Sequence, residues 1–320
     1  MNTFPVPKNN WQPTADSGIL KKRAKIFARI RRFFEVRDVI EVETPLLSHG
    51  AVTDPHILSM KVSLSQPMYL QTSPEYAMKR LLCAGMGSIY QICKAFRLDE
   101  KGKKHNPEFT ILEWYRIPFD HHDLMDEMDL FLQEILQTQK AERCTVADIF
   151  LKFLNINPHH ASIDALEKCA RDRHLSFKKN EDKNFWFDLL FSHCIEPHLG
   201  HERPLFLFDY PASQAALARV KGNNPPVASR FEVYFKGIEL ANGFHELSNA
   251  AEQRKRFQKD MVEREKKGIE VPALDENFLA ALQHGLPDCA GVALGIDRLV
   301  MLALQCESIS QVISFDFENA

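Results

Sequence analysis

Phe96-Arg97-Leu98-Asp99-Glu100-Lys101-Gly102-Lys103-Lys104-His105-Asn106-Pro107-Glu108-Phe109 joins two apolar runs through a polar loop that contains a glycine. Residues 88–97 before the loop and 109–115 after it carry the bulky and β-branched side chains of strands. An ordinary hairpin also reads this way. The strand ends, however, carry Arg97, His105 and Phe109, and these types suit a nucleotide. A guanidinium bridges phosphate oxygens through two charge-assisted hydrogen bonds, and an aromatic ring stacks on adenine.

Two other segments bracket this unit. Phe34-Glu35-Val36-Arg37-Asp38-Val39-Ile40-Glu41-Val42-Glu43-Thr44-Pro45 reads as the end of a long helix followed by a strand that proline stops. Gly291-Val292-Ala293-Leu294-Gly295-Ile296-Asp297-Arg298 reads as a strand turning into a helix. Its small residues let backbone approach a ligand closely, and Arg298 stands at the helix start. Each segment alone also fits a common core element.

Working outward, Asp16 or Ser17 caps a first helix, with Leu20, Ala24, Phe27, Ile30 and Phe34 as its apolar stripe. Lys21, Lys22, Arg23, Arg31 and Arg32 fall on the other faces and read as solvated. A strand over residues 68–72 precedes a helix over 75–83, and Leu124, Met128, Phe131 and Ile135 mark an amphipathic helix over 122–137. Residues 141–200 read as helical and irregular, with Leu166, Cys169 and Trp186 as core candidates. Residues 205–208 form a buried strand. The charged helix over 251–267 turns Phe257 and Met261 inward and solvates the rest. Strands that neighbour in sequence without regular helical crossovers predict an α+β fold, a mainly antiparallel sheet flanked by helices. Residues 1–16 read as an N-terminal arm and 17–320 as one catalytic domain.

With 320 residues, 45% of them hydrophobic, 26% charged and a net charge of −3, the chain has the balance of a soluble globular protein. That balance excludes a bulk electrostatic grip on nucleic acid, though not a small basic patch. Seven cysteines without Cys-x-x-Cys spacing read as scattered buried thiols of a reducing cytosol. The start, with Pro5, Pro7 and Pro13, has no signal-type apolar run, and no stretch reaches the ~18 apolar residues of a membrane helix. The expected location is the cytoplasm. His121, His122, His159, His160, His193, His198 and His201 lack a completing Cys or carboxylate set and read as surface or satisfied histidines.

Residues 230–235 and 238–242 flank Lys236-Gly237, a hairpin turn. Such a turn pairs Tyr234 with Glu239 and Glu232 with Ala241. Glu232 and Glu239 then share a face as diagonal neighbours, roughly 7–8 Å apart at Cα. They read either as ligands sharing Mg²⁺ with ATP phosphates or as two solvent-facing glutamates.

In this order, the three segments resemble the signature motifs of class II aminoacyl-tRNA synthetases. Thr72-Ser73-Pro74-Glu75, His105-Asn106-Pro107-Glu108-Phe109-Thr110 and Gly237-Ile238-Glu239-Leu240-Ala241-Asn242-Gly243-Phe244-His245-Glu246-Leu247 resemble lysyl-tRNA synthetase in particular. Only about 16 residues precede the first catalytic helix, too few for an anticodon-binding barrel. The chain therefore resembles the stand-alone paralogues that ligate lysine to elongation factor P, the PoxA/GenX family, and Pro211-Ala212-Ser213-Gln214-Ala215-Ala216-Leu217-Ala218 fits them too.

The resemblance implies a class II synthetase catalytic fold and ATP-dependent activation of lysine, preferably β-lysine, as an aminoacyl-adenylate. The acyl group then passes to elongation factor P. It also implies a homodimer, a functional link to a lysine 2,3-aminomutase, and no tRNA partner. Arg97 would hold the α-phosphate, while Phe109 and Arg298 sandwich adenine. His105 and Asn106 would contact the triphosphate or ribose side, with Leu98, Asp99, Leu240 and Gly295 completing the ATP site. Glu232 and Glu239 become Mg²⁺ ligands. Glu75, with Ser73 and Pro74, would take the backbone-proximal amine, and Glu246 with Tyr115 the distal ammonium. Asn242 would lie near the carboxylate, with Glu113 as an assistant or a strand salt bridge. Leu98 and Asp99 depart from the family's usual residues. Ala293 stands where the lysyl-tRNA synthetase pattern has glycine, so its methyl would crowd an α-amine. Rival readings are a truncated lysyl-tRNA synthetase, an amidating enzyme of the asparagine synthetase type, and a non-catalytic regulatory module.

Overall fold

The structure, a computed structural model, describes residues 11–222 and 224–320. Pro5, Pro7 and most of the expected N-terminal arm lie outside the described residues. Helix α1 (Ser17–Glu35) begins where the Asp16 carboxylate accepts a hydrogen bond from the Gly18 amide at 2.7 Å. Its buried side consists of Ile26, Ile30, Phe33 and Phe34. This corrects the expected stripe, since Ala24 is exposed and Leu20 and Phe27 are only half-buried. The adjacent rings set the helix's rotation, because aromatic side chains carry the largest apolar area. Phe33 meets Phe131 edge-on at 5.1 Å, and Phe34 stacks on Tyr90 at 4.3 Å.

Strand β1 (Ile40–Glu41) follows. A small antiparallel sheet in the order β2-β4-β3 comes from β2 (Leu47–Ser48), β3 (Lys61–Ser63) and β4 (Pro67–Leu70), and leads to α2 (Glu75–Cys83). The quoted loop joins β5 (Ile89–Phe96) to β6 (Glu108–Arg116). Next come α3 (His121–Leu136), β7 (Glu142–Thr145), α4 (Val146–Leu154), α5 (Ile163–Asp172) and α6 (Lys183–Cys194). The chain re-enters the sheet with β8 (Leu205–Pro211), β9 (Val220–Lys221), β10 (Val227–Phe235) and β11 (Ile238–His245). It closes with α7 (Ala250–Lys266), α8 (Glu276–Gly285), β12 (Ala290–Gly295) and α9 (Ile296–Ala303).

The main sheet runs β1-β5-β6-β12-β11-β10-β8-β7, with β9 beside β10. It is antiparallel except for the β1–β5 and β7–β8 pairs. The fold is thus the expected α+β arrangement, and the sheet stays open. Strand β7 is a correction, because the sequence suggested only helix there. Its four polar-leaning residues carry no apolar alternation and pair on one side alone, with β8.

Helices α1, α3 and α9 cover one face of the sheet, packing on Leu112, Trp114, Phe231, Val233, Val292 and Leu294. Helices α4–α6 build a second core around Phe150, Leu166 and Trp186 against β8 and β10. On the opposite side, α2 and α8 enclose Ile89, Tyr115 and Cys289 with Phe257 of α7. Of the cysteines, Cys169 and Cys289 are buried and the other five half-buried.

Two basic residues assigned to solvent are instead structural. Arg264 of α7 is buried and donates to the carbonyls of Asp54 and Glu270, each at 2.7 Å. Arg23 of α1 reaches the sheet: its guanidinium lies 2.7 Å from Asp297 Oδ1 and donates to Thr110 Oγ1 at 3.1 Å. Asp297 Oδ2 accepts from the Thr110 amide at 2.8 Å, and Arg23 also donates to the Val312 carbonyl. One buried ion pair therefore joins α1, β6, α9 and the C-terminal segment. Removing one partner strands a charge, so Arg23→Met should lower unfolding free energy by about 3 kcal/mol. Urea denaturation checks this, and a change under about 0.5 kcal/mol would return Arg23 to the surface.

Candidate active site

Side chains alternate along a strand, so register decides which of them share a face. Gly291, Ala293 and Gly295 of β12 pair with Tyr115, Glu113 and Ile111 of β6. On their other side, Gly291 and Ala293 pair with Phe244 and Asn242 of β11. These in turn meet Arg230 and Glu232 of β10, while Tyr234 pairs with Glu239. All of these residues project away from the α1–α3–α9 core.

The hairpin register corrects the expected one. Tyr234 does pair with Glu239, but a bulge follows and Glu232 stands opposite Asn242, not Ala241. The extra residue is Leu240, whose side chain joins Ala241 in the core, leaving only its backbone for the site. The bulge lets residues 239 and 242, an odd number of positions apart, face the same way.

At one end of this face lies an acidic pocket. Ser73 Oγ donates to Glu113 Oε2 at 2.7 Å and accepts from the Glu75 amide at the start of α2, next to the buried Pro74. Tyr115 donates to Glu113 Oε1 at 2.5 Å. Glu113 is thus part of the pocket and not a strand salt bridge. Gly291 lies beneath: a Cβ there would sit 2.3 Å from the Tyr115 ring and 2.6 Å from Glu246 Oε1. The residue the sequence did not single out is Lys79. Its ammonium lies 2.6 Å from Glu75 Oε1 and 2.5 Å from Glu246 Oε2, with the side chain 1% exposed. The two glutamates read as opposite-end anchors thus share one internal ammonium. The i, i+4 spacing of Glu75 and Lys79 was the available signal. Burial pushes the Glu113 carboxyl up to about 7, and Glu75's charge adds to the rise. Burial likewise pushes Glu246 up to about 8, against the pull of Lys79.

The other end is basic. Arg97 lies over the Phe109 ring, 5.1 Å from its centroid, and its buried Nε has no partner. Arg298 donates to the carbonyls of Lys104 at 3.2 Å and Glu239 at 2.8 Å, and approaches His105 Nε2 at 2.5 Å. The His105 pKa is lowered by burial and by Arg298, so a neutral ring accepts that bond. The guanidinium over Phe109 is that of Arg97. Asn106 uses both ends of its amide on the Glu108 carbonyl and the Phe317 amide, so it shapes the loop. Leu98 and Asp99 are exposed, and Asp99 takes a positive φ of 65° at the loop's bend. Beside Gly295 the nearest atom to an added Cβ is Arg298 Cδ at 3.8 Å, which leaves room for a ligand.

Between the two ends sit Glu232 and Glu239. Glu232 accepts from Tyr210 at 2.6 Å, from Tyr234 and from Arg230, which also donates to Asn242 Oδ1 at 3.2 Å. Burial pushes Glu239 up to about 7, and repulsion from Glu232 is the second cause. A cation would relieve that repulsion, and a hard oxygen pair suits Mg²⁺ completed by substrate oxygens. Among the described residues no group of three or more His, Cys, Asp or Glu side chains could hold a metal by itself. A cavity of about 570 Å³ lined by Glu43, Thr44, Pro45, Arg80 and His284 contains none of these site residues.

One sheet face thus joins a basic end, a central carboxylate pair and an acidic pocket. Residues 12–319 match the family of tRNA synthetases class II (D, K and N), and the chain belongs to it. Within that class it is 51% identical to the elongation factor P–(R)-β-lysine ligase of Vibrio atlanticus (strain LGP32), covering 98% of this chain and 99% of the relative. The ligase of the same name from Vibrio cholerae is 51% identical over 98% of this chain and 100% of its own. That of Edwardsiella ictaluri is 48% identical over 97% and 98%. Members of this synthetase class use ATP.

Gly291→Ala should raise the amino-acid KM by about tenfold or more, because overfilling a tight site costs ~1–3 kcal/mol, while the ATP KM holds. Equal changes in both constants would contradict the placement of Gly291. A pH effect follows from Glu113 and Glu246. Their folded-state pKa values are raised, so their contribution to stability is full below about pH 4.5 and is lost as pH rises through about 7 to 8. The ligand-free protein should therefore lose Tm between about pH 4.5 and pH 8, and Glu246→Gln should flatten that loss. Parallel Tm profiles for the two proteins would contradict it.

Proposed function

We propose that this chain is an ATP-dependent carbon–nitrogen ligase that activates a lysine-type amino acid and passes it to a lysine side chain of elongation factor P. The observation that carries this reading is the pocket of Glu75, Glu113 and Glu246 on the same sheet face as Arg97, Phe109 and Arg298. The names of the relatives, which share about half of their residues with the chain, support the acceptor and the β-isomer.

In the first step the amino acid's carboxylate attacks the α-phosphorus of ATP, the bond to the β-phosphate oxygen breaks, and pyrophosphate leaves. Arg97, with an unpartnered buried Nε, supplies charge where it develops on the α-phosphate, and Arg298 serves the far phosphates. In the second step the acceptor amine attacks the acyl carbon, AMP departs, and the amine gives up a proton. Positioning and electrostatics carry both steps without an enzyme nucleophile. Glu239 and Glu232 would hold Mg²⁺, which neutralises phosphate charge when bound.

Ala293, opposite Asn242 and Glu113, places its methyl on the pocket wall. Crowding there disfavours an α-amine and favours β-lysine. That isomer must come from an enzyme of the lysine 2,3-aminomutase kind. Catalysis is assigned to one domain over residues 17–320. A homodimer would cover Val36, Ile40 and Leu46, exposed by 56%, 49% and 38% near the Glu43–Pro45 groove. No helix among the described residues is long and apolar enough to cross a membrane, which is compatible with work in the cytoplasm on a translation factor.

Incubation with ATP and labelled β-lysine should label elongation factor P through an amide that survives mild alkali, and leave tRNA unlabelled. Alkali-labile label on tRNA, with none on elongation factor P, would overturn the reading. In the same assay Ala293→Gly should raise kcat/KM for α-lysine selectively, by roughly tenfold per 1.4 kcal/mol of relieved crowding. An equal change for both isomers would move the discriminator elsewhere.

A further inference from the structure

Lys79 is a lysine with almost no access to water. It sits on α2 four residues after Glu75, its side chain 1% exposed, and its ammonium touches Glu75 and Glu246 at 2.6 and 2.5 Å. The Phe278 ring centroid lies 5.9 Å away, and Tyr76 stacks on that ring at 4.5 Å, closing the pocket floor with apolar surface. Glu113 completes the set of carboxylates, its oxygens engaged by Ser73 and Tyr115. The groups that face Lys79 are Glu75 on its own helix, Glu113 and Tyr115 on β6, Glu246 after β11, Cys289 before β12 and Cys83 at the end of α2.

Three carboxyls face one ammonium, and burial raises the pKa values of Glu113 and Glu246, so without further cations these two tend to hold protons. Ionising them without partners is strongly unfavourable, so both become carboxylates only when two further positive charges enter. A lysine-type substrate brings two ammonium groups, while its carboxylate lies toward Arg97. Without Lys79 the count would be three, and a diamine would leave one carboxylate unpaired. Lys79 also fixes where Glu75 and Glu246 stand, because one ammonium in contact with both carboxylates prevents their separation.

We propose that Lys79 is a specificity-determining and positioning residue: its buried ammonium cancels one of the three pocket carboxylates and sets the pocket to accept a substrate with two ammonium groups. The inference rests on the reading of this pocket as the amino-acid site. It assigns Lys79 no contact with ATP and no part in the chemistry at phosphorus.

Amino-acid-dependent ATP–pyrophosphate exchange on the full chain tests it, with Lys79→Met, Lys79→Gln and Lys79→Arg. Removing the charge in Lys79→Met should raise the KM for β-lysine by about thirtyfold or more while the ATP KM stays within about threefold. Lys79→Arg, which keeps the charge, should recover at least about a third of that loss on a logarithmic scale. Should the methionine variant fail to fold, Lys79→Gln keeps a hydrogen-bond donor without the charge and is expected to show the same rise. A β-lysine KM within about threefold of wild type in the folded neutral variant would overturn the proposal. So would equal rises in both KM values, the signature of general loosening. Wild-type protein that exchanges pyrophosphate with no lysine isomer would overturn the pocket reading itself, and the role of Lys79 with it.

Discussion

Because side chains alternate along a strand, β6, β12, β11 and β10 present one continuous functional face only while their register holds. A slip by a single residue would send Glu113, Asn242 and Glu232 into the apolar core and bring Trp114, Ala241 and Val233 to the ligand side. The core prevents this, since Leu112, Trp114, Val292, Leu294 and Phe231 already fill the far face against α1, α3 and α9. Within that constraint the bulge at Leu240 is a break in β11 that serves the site. It adds a half-step to β11, so that Glu239 and Asn242 both look into the site.

The face is electrostatically polar along its length. Arg97 and Arg298 stand at one end, the acidic pocket at the other, and Glu232 with Glu239 lies between. Under the proposed function, a substrate with a carboxylate at one end and amines at the other would enter in one favoured direction, with its carboxylate toward the phosphates. Such orientation by charge would remove much of the entropic barrier to the proposed first step. The ion pair of Arg23 with Asp297 supports this arrangement at a distance. It anchors Thr110, the neighbour of Phe109, to Asp297, the neighbour of Arg298, and so ties the two segments together.

Much of this was legible in the sequence, and the parts that were not share physical causes. Helix α2 and the turn at Lys236-Gly237 stand where the pattern put them, with φ of 52° and 66° at the turn. The faces of Glu232 and Glu239 followed from strand alternation. The partner of Glu232 did not, because a bulge leaves no mark in the alternation of residues around Leu240. Arg23 and Arg264 were placed in solvent because a basic residue on a helix usually is, and only tertiary contacts reveal a buried carboxylate or a ring of carbonyls waiting for it. Lys79 had a visible signal in its spacing from Glu75, but its second partner, Glu246, is 167 positions away in the chain and comes near it only on folding. Asn106, whose type suits a ligand, also has a partner that only folding supplies: its carbonyl accepts from the Phe317 amide.

The central claim is that one sheet face joins an amine pocket to a phosphate-handling end and thereby forms an adenylate. Pyrophosphate exchange into ATP, driven by a lysine isomer and compared between wild type and Arg97→Ala, tests that claim most directly. The account predicts exchange in the wild type and a fall on the order of a thousandfold in a folded Arg97→Ala protein, since losing one charge-assisted clamp costs roughly 3–4 kcal/mol. Exchange in Arg97→Ala within about tenfold of wild type would contradict it.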